Sequence, residues 1–294
     1  MTQSVEKEDS AVQEYKPLEL YYEEPMARVY YGDSRDLSAL YPEYRQKVAL
    51  VLTSPPYWSS IDYENEASQI GFMQMYDSYL EDLERVIVEC IPLLMLGGKF
   101  MINVADVYST VKFTGRIQEV HLIGDIVKIM EKHNLPLFAR YIGKLTMSYA
   151  QKVYAAASKV PNIRSLPDFE YYFVFSKGGN RKTEYNEKRT DYLWEAGRGV
   201  WDMKYDSDNV FKPSRGKKHP AMMPLTHASK IVAMYSIPGD IVFDPFCGAG
   251  TTIVAANRQG RYGIAVDLSE TYCNMTMERL MGEPTRRTVT ERML

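Results

Sequence analysis

Short apolar runs alternate with longer amphipathic stretches along most of this chain, and that rhythm restricts it to one kind of architecture. Runs at Arg28–Tyr31, Lys47–Leu52, Gly98–Val104, Leu137–Ile142, Glu170–Ser176, Asp240–Phe243 and Tyr262–Val266 read as strands. Between them, Tyr76–Leu96, Gln118–Lys132, Thr226–Tyr235, Thr251–Gln259 and Glu270–Leu280 read as helices. In the first helix Leu80, Leu83, Ile87, Ile91 and Leu94 recur at helical spacing, and Gly97-Gly98 is its expected stop. Strands separated by helices are joined by crossovers. The expected fold is therefore α/β, with a mostly parallel sheet covered by helices on both faces.

Composition removes several function classes. No apolar run approaches the length of a membrane span, and Met1–Ser10 is polar and acidic, unlike a signal peptide. Cys90, Cys247 and Cys273 are widely separated, which argues against a disulfide framework or a zinc site and for a reducing, cytoplasmic setting. The histidines show no metal spacing; His121, His133 and His227 read as ordinary helix-surface residues, and no metal is expected. Formal charge is only −3, but it is unevenly spread. Lys177–Lys218 holds eleven Lys/Arg against seven Asp/Glu, a net of +4 that leaves −7 elsewhere. This segment has no clear period, and both a solvated loop and a nucleic-acid contact fit it. Residues 1–25 carry seven Asp/Glu and two Lys, and read as a loose acidic arm or peripheral helix.

Two stretches carry chemistry. In VALVLTSPPYWSS, a buried strand runs into Ser54, two prolines and two aromatics. By itself this can also be read as a plain strand-terminating turn, with Tyr57 and Trp58 as core. In DIVFDPFCGAGTTIVAANRQGRYGIAVDLS, a strand ends at Asp244, glycines 248 and 250 turn the chain, and Thr251-Thr252 open a helix. The following strand ends at Asp267, 23 residues after Asp244. An acid at that distance suits ribose hydroxyls. No Gly-Lys-Ser/Thr marks a phosphate loop, and the third glycine of a dinucleotide fingerprint is missing. An adenosine ligand bearing an ammonium group suits two strand-end carboxylates better.

Together, TSPPYW (Thr53–Trp58) and DPFCGAGTT (Asp244–Thr252) resemble the amino-group DNA methyltransferases that use S-adenosylmethionine. The catalytic motif precedes the cofactor motif, as in the circularly permuted β group. VYYGDSRDL (Val29–Leu37), FEYYFVFSK (Phe169–Lys177) and KHPAMMP (Lys218–Pro224) are similar to further segments of that family.

The resemblance implies a Rossmann-like seven-stranded sheet with a small inserted target-recognition region. Residues 1–25 would be the acidic arm, 26–176 the catalytic half, 177–218 the target-recognition region and 219–294 the cofactor-binding half. It implies catalysis by Ser54, Pro55, Pro56 and Tyr57. It implies S-adenosylmethionine contacts from Asp33, Thr53, His219, Pro220, Asp244, Pro245, Phe246, Gly248, Gly250, Thr251, Thr252 and Asp267. DNA contacts would fall to Arg198, Lys212, Arg215 and Lys217, beside Trp194 and Trp201, with extra contacts from Tyr108–Arg116 and Lys144–Arg164.

An exocyclic amine is a poor nucleophile because its lone pair is delocalised into the base. Acceptors at Ser54 Oγ and the Pro55 carbonyl would draw it towards tetrahedral geometry, the prolines fixing the carbonyl's direction and Tyr57 stacking on the base. The target base must then be flipped out of duplex DNA. Ser54 at the first position favours cytosine-N4 over adenine-N6 within this family, and Cys247 reads as a small filler rather than a nucleophile. A cognate restriction endonuclease is the implied partner, and a homodimer stays open. An idle adenosine-ligand sensor and an RNA or protein methyltransferase are the rivals.

Overall fold

The computed structural model describes residues 15–58, 68–109, 115, 118–144, 160–161, 169–183, 191–202 and 222–282. In chain order the strands are β1 (Glu19–Glu24), β2 (Ala27–Tyr31), β3 (Val48–Thr53), β4 (Leu94–Val104), β5 (Val107–Tyr108), β6 (Glu119–Val120), β7 (Leu137–Lys144), β8 (Phe169–Ser176), β9 (Val200–Asp202), β10 (Ile241–Asp244) and β11 (Tyr262–Asp267). The helices are α1 (Tyr41–Tyr44), α2 (Tyr76–Cys90), α3 (Leu122–Lys132), α4 (Asp191–Ala196), α5 (Leu225–Tyr235), α6 (Thr251–Arg258) and α7 (Glu270–Gly282).

The main sheet runs β1-β2-β11-β10-β3-β4-β8-β7-β9. Neighbours from β2 to β4 are parallel, and β8 is antiparallel to both β4 and β7. Each of the seven strand runs read from the sequence is present, but the described sheet has nine strands rather than seven. The additions are β1 and β9, one on each edge. β1 replaces the expected loose arm or helix over part of residues 1–25, pairing antiparallel with β2. Its glutamates suit an edge, where charge discourages further strand pairing.

Helix α2 stops at Cys90, not at Leu96. Ile91 keeps helical angles, but Pro92 has no N–H to continue the helix; Leu94 already belongs to β4, and Gly97-Gly98 lies inside that strand. Strand residues alternate between two cores. Val51, Phe100, Ile102, Phe173 and Phe175 meet α2 and α3 on one face. Leu50, Leu52, Met101, Tyr172 and Val174 meet α5, α6 and α7 on the other. A sheet covered on both faces leaves its strand ends as the place for chemistry. Among the described residues, no helix is long and apolar enough to cross a membrane.

Candidate active site

Four neighbouring parallel strands, β2, β11, β10 and β3, point the same way, and each ends in a polar group. Asp33 follows β2, Asp267 ends β11, Asp244 ends β10, and Thr53-Ser54 close β3. Chain direction reverses its walk across the sheet between β10 and β3, the position where open α/β sheets leave a crevice. The two motifs of the sequence meet there. Thr53 Oγ1 donates to Asp244 Oδ1 at 2.7 Å.

Asp244 is fully enclosed and also accepts from the Phe246 amide at 3.1 Å. Burial pushes its carboxyl up to about 6, against the hydrogen bonds from Thr53 and the Phe246 amide that favour the charged form. Asp267 is less enclosed and organises the glycine loop: its Oδ2 accepts from Gly248 N at 2.8 Å and its Oδ1 from Ser269 N at 3.0 Å. Gly250 sits at φ 73°, and a Cβ there would stand 2.7 Å from Thr276 Cγ2, so no larger residue fits without displacement.

The side chains of Thr251 and Thr252 turn into the protein. Thr252 Oγ1 donates to the Leu52 carbonyl, and Arg279 donates to Thr251 Oγ1 and the Ala249 carbonyl. Any ligand at this loop therefore meets main chain rather than these hydroxyls. Ser34 Oγ donates to the Pro245 carbonyl at 2.6 Å, tying the β2 end to the loop. Cys247 is buried, and burial first, then the nearby Asp267, holds its thiol well above the usual range. It is a poor nucleophile there.

Asp33 is buried in an ion pair with Arg35 at 2.6 Å. Arg35 also reaches Asp82 at 2.9 Å and the Ser68 carbonyl at 2.8 Å. Asp82 in turn accepts from Gln74, whose main-chain carbonyl accepts from Trp58 Nε1 at 2.9 Å. The Asp33 end of β2 is thus linked to the far end of the SPPYW loop. That loop is held from beneath as well: the Tyr79 hydroxyl donates to the Pro56 carbonyl at 3.0 Å, and Trp58 packs edge-on to Tyr76 at 5.0 Å.

Arg198 is exposed on the turn after α4, 3.7 Å from Glu195. Trp194 is exposed, whereas Trp201 is buried and part of the core. His219, Pro220, Lys212, Arg215 and Lys217 lie outside the described residues, as do most of Tyr108–Arg116 and Lys144–Arg164. His227 is not a surface residue: it is 1% exposed, and burial, then the Lys230 charge, push its imidazole down to about 4. It faces inward because it sits on the apolar stripe of α5 with Leu225, Ala228 and Ile231.

The sequence reading does not single out Glu170, a buried acid in β8 that accepts a hydrogen bond from the Tyr172 hydroxyl at 2.7 Å. An acid inside an otherwise apolar strand run was the available signal. Among the described residues, no group of His, Cys, Asp or Glu could hold a metal ion.

A model of the DNA methylase family N6_N4_Mtase matches residues 48–278. The type II methyltransferase M.MthZI of Methanothermobacter thermautotrophicus is 26% identical over 275 residues, 86% of this chain and 76% of that protein. M.SmaI of Serratia marcescens, another type II methyltransferase, is 28% identical over 254 residues, 79% of this chain and 83% of its own. Among solved structures, a putative DNA modification methylase of Thermus thermophilus, complexed with S-adenosyl-L-methionine, aligns with a TM-score of 0.64 at 29% identity, over 85% of this chain and 90% of that one. The PvuII DNA methyltransferase (cytosine-N4-specific) shares the fold, with a TM-score of 0.66 at 17% identity over 88% of each chain.

Proposed function

We propose, from the premise that this chain belongs to the N6_N4_Mtase family of DNA methylases and is an S-adenosylmethionine-dependent DNA methyltransferase, that it methylates the exocyclic N4 of a flipped cytosine in duplex DNA. The observation that carries this reading is the junction of Thr53 with Asp244, which brings the SPPYW loop and the glycine loop to one crevice. Residues with the chemistry for an amine and residues with the chemistry for an adenosine ligand then share one site.

In this reading Asp267 holds the ribose hydroxyls, Asp33 lies beside the adenine, and Asp244 to Thr252 surround the methionine end. The three side-chain observations fit the assignment: Asp267 orders the loop beside it, Asp33 sits one strand away, and the Asp244 carboxylate is buried where a ligand ammonium would stabilise its charge. When bound, S-adenosylmethionine supplies an electrophilic methyl group on sulfur. Ser54 Oγ and the Pro55 carbonyl accept the two N–H bonds of the target amine, Tyr57 stacks on the base, and the prolines fix the loop. The protein's contribution is positioning and electrostatics. Ser54 Oγ and the Pro55 carbonyl would stabilise the positive charge that develops on the amine, whose proton would be released to water.

The choice of cytosine over adenine rests on Ser54 and on the resemblance at that position, and adenine-N6 is the second reading. The β-group permutation, a role in a restriction-modification system and a cytoplasmic setting belong to the same proposal, supported by chain order and by the type II relatives. Sequencing modified bases in DNA from cells that express the protein tests it. N4-methylcytosine at a fixed site supports the reading; N6-methyladenine replaces it with the second.

A further inference from the structure

One half-buried amide ties the SPPYW loop to the Asp33 end of the sheet. Gln74 lies in residues 68–75, which lead into α2, and both ends of its side chain are bonded. Its Nε2 donates to Asp82 Oδ2 at 2.6 Å, and its Oε1 accepts from the Gly71 amide at 2.7 Å. Its main-chain carbonyl accepts from Trp58 Nε1 at 2.9 Å. Asp82 Oδ2 takes a second donor, Arg35 Nη1, at 2.9 Å. Arg35 is 4% exposed, and its Nη2 donates to Asp33 Oδ2 at 2.6 Å and to the Ser68 carbonyl at 2.8 Å. Four hydrogen bonds in series thus run from Trp58 to Asp33, through Gln74, Asp82 and Arg35.

Residues 68–75 lie directly against the loop. A Cβ on Gly71 would stand 3.3 Å from the Tyr57 carbonyl oxygen and 3.5 Å from Trp58 Cα. Gly71 sits at φ 83° and Met73 at φ 52°, and a left-handed methionine persists only where its surroundings hold it there. Gln74, next in the chain, supplies part of that hold. Its side chain closes the turn onto Gly71 and fastens the turn to α2 through Asp82. Trp58 is buried, and its indole N–H is met by the carbonyl of the same residue. Moving Gln74 therefore moves the support of Trp58 and of Tyr57 beside it.

We propose that Gln74 is a positioning residue for methyl transfer, setting where the SPPYW loop stands relative to the cofactor end of the crevice. The proposal rests on the reading that Ser54 and Pro55 present the target amine while Asp33 lies beside the adenine. A direct displacement is sensitive to small errors in the approach of the amine to the methyl group. Arg35 keeps its bond to Asp33 whether or not Gln74 is in place, so the cofactor end stays formed when the clasp is lost. The benefit then appears in the chemical step rather than in cofactor binding.

Gln74→Met keeps the length of the side chain and removes both of its hydrogen bonds. Single-turnover transfer of a radiolabelled methyl group to duplex DNA, with cofactor and DNA saturating, is read beside calorimetric S-adenosylmethionine binding and a thermal melt. The rate constant is expected to fall by about 5- to 100-fold, with cofactor affinity within about 3-fold of wild type. Asp82→Asn is the second variant. Its uncharged carbonyl holds Arg35 and Gln74 more weakly than the carboxylate does, and the same split between rate and affinity is expected. Because both substitutions break one route, the double variant is expected to be little slower than the slower single one.

A folded Gln74→Met protein with an unchanged rate constant would overturn the positioning role. So would losses that multiply in the double variant, or cofactor affinity that falls while the saturated rate holds. Active wild-type protein with any of these results leaves the shared site standing and removes Gln74 alone. Wild-type protein without methyl transfer to DNA would overturn both.

Discussion

Thr53 Oγ1 lies 2.7 Å from Asp244 Oδ1, joining two strand ends that stand 191 residues apart in the chain. The bond joins the loop that would hold the amine to the loop that would hold the methyl donor. It is also one of the few groups supporting a carboxylate that burial raises from 3.8 to about 6.

That raised value sets a pH dependence. The folded protein binds a proton at Asp244 more readily than the unfolded chain, so the cost of keeping it ionised is present above pH 6 and disappears as pH falls towards 4. Asp244→Asn keeps the shape and removes the charge. It is expected to gain about 2–3 kcal/mol relative to wild type at pH 7.5, with little gain at pH 4. Urea denaturation at both pH values measures the difference. The same variant should lose S-adenosylmethionine affinity, a separation of stability from function.

Asp267→Ala removes the proposed ribose contact together with the Gly248 and Ser269 backbone bonds. S-adenosylmethionine affinity should fall by about 1–3 kcal/mol, or roughly 5- to 150-fold. Calorimetry on the folded variant reads it directly, and unchanged affinity removes Asp267 from the cofactor site.

Gly250→Ala forces a side chain into a left-handed position 2.7 Å from Thr276 Cγ2. Stability should drop by about 1–3 kcal/mol. Cofactor affinity should fall with it, because the α6 amides that follow Gly250 are displaced. Thermal melts with and without S-adenosylmethionine check both effects.

Arg198→Ala addresses the DNA face. Its contact with Glu195 is an exposed i,i+3 pair of little worth, so stability should change by less than about 0.5 kcal/mol. If Arg198 holds a phosphate, binding weakens for all sequences and the salt slope falls by about 1. If it reads a base, methylation of a randomised duplex library relaxes at one position. If neither changes, the reader lies elsewhere in the chain.

What the sequence made legible was local. The β10–loop–α6–β11 unit is contiguous, so Asp244, Gly248, Gly250 and Asp267 can be placed by spacing alone, as can the strand that runs up to Thr53. The misses have physical causes. Apolar spacing runs on through Leu94, whereas α2 ends at Cys90, just before Pro92, which has no N–H to continue it. β1 is rich in glutamate and gains its strand form from pairing with β2, and β9 is only three residues long. Glu170, Tyr172 and His227 come together only through the fold; an acid in an apolar strand run marks Glu170 but not its partners. The roles of Asp33 and Thr53 came from resemblance, whereas their partners Arg35 and Asp244 came from the structure.

Ser54→Ala is the most direct test of the account's central claim, that the SPPYW loop activates the amine at a site it shares with the cofactor. Transfer of a radiolabelled methyl group from S-adenosylmethionine to duplex DNA would be measured beside calorimetric binding of the cofactor. The account predicts that Ser54→Ala binds S-adenosylmethionine and DNA like wild type but loses most of kcat, because the lost acceptor matters as the nitrogen becomes tetrahedral. A variant that turns over normally, or that loses cofactor affinity while keeping its turnover, would contradict it.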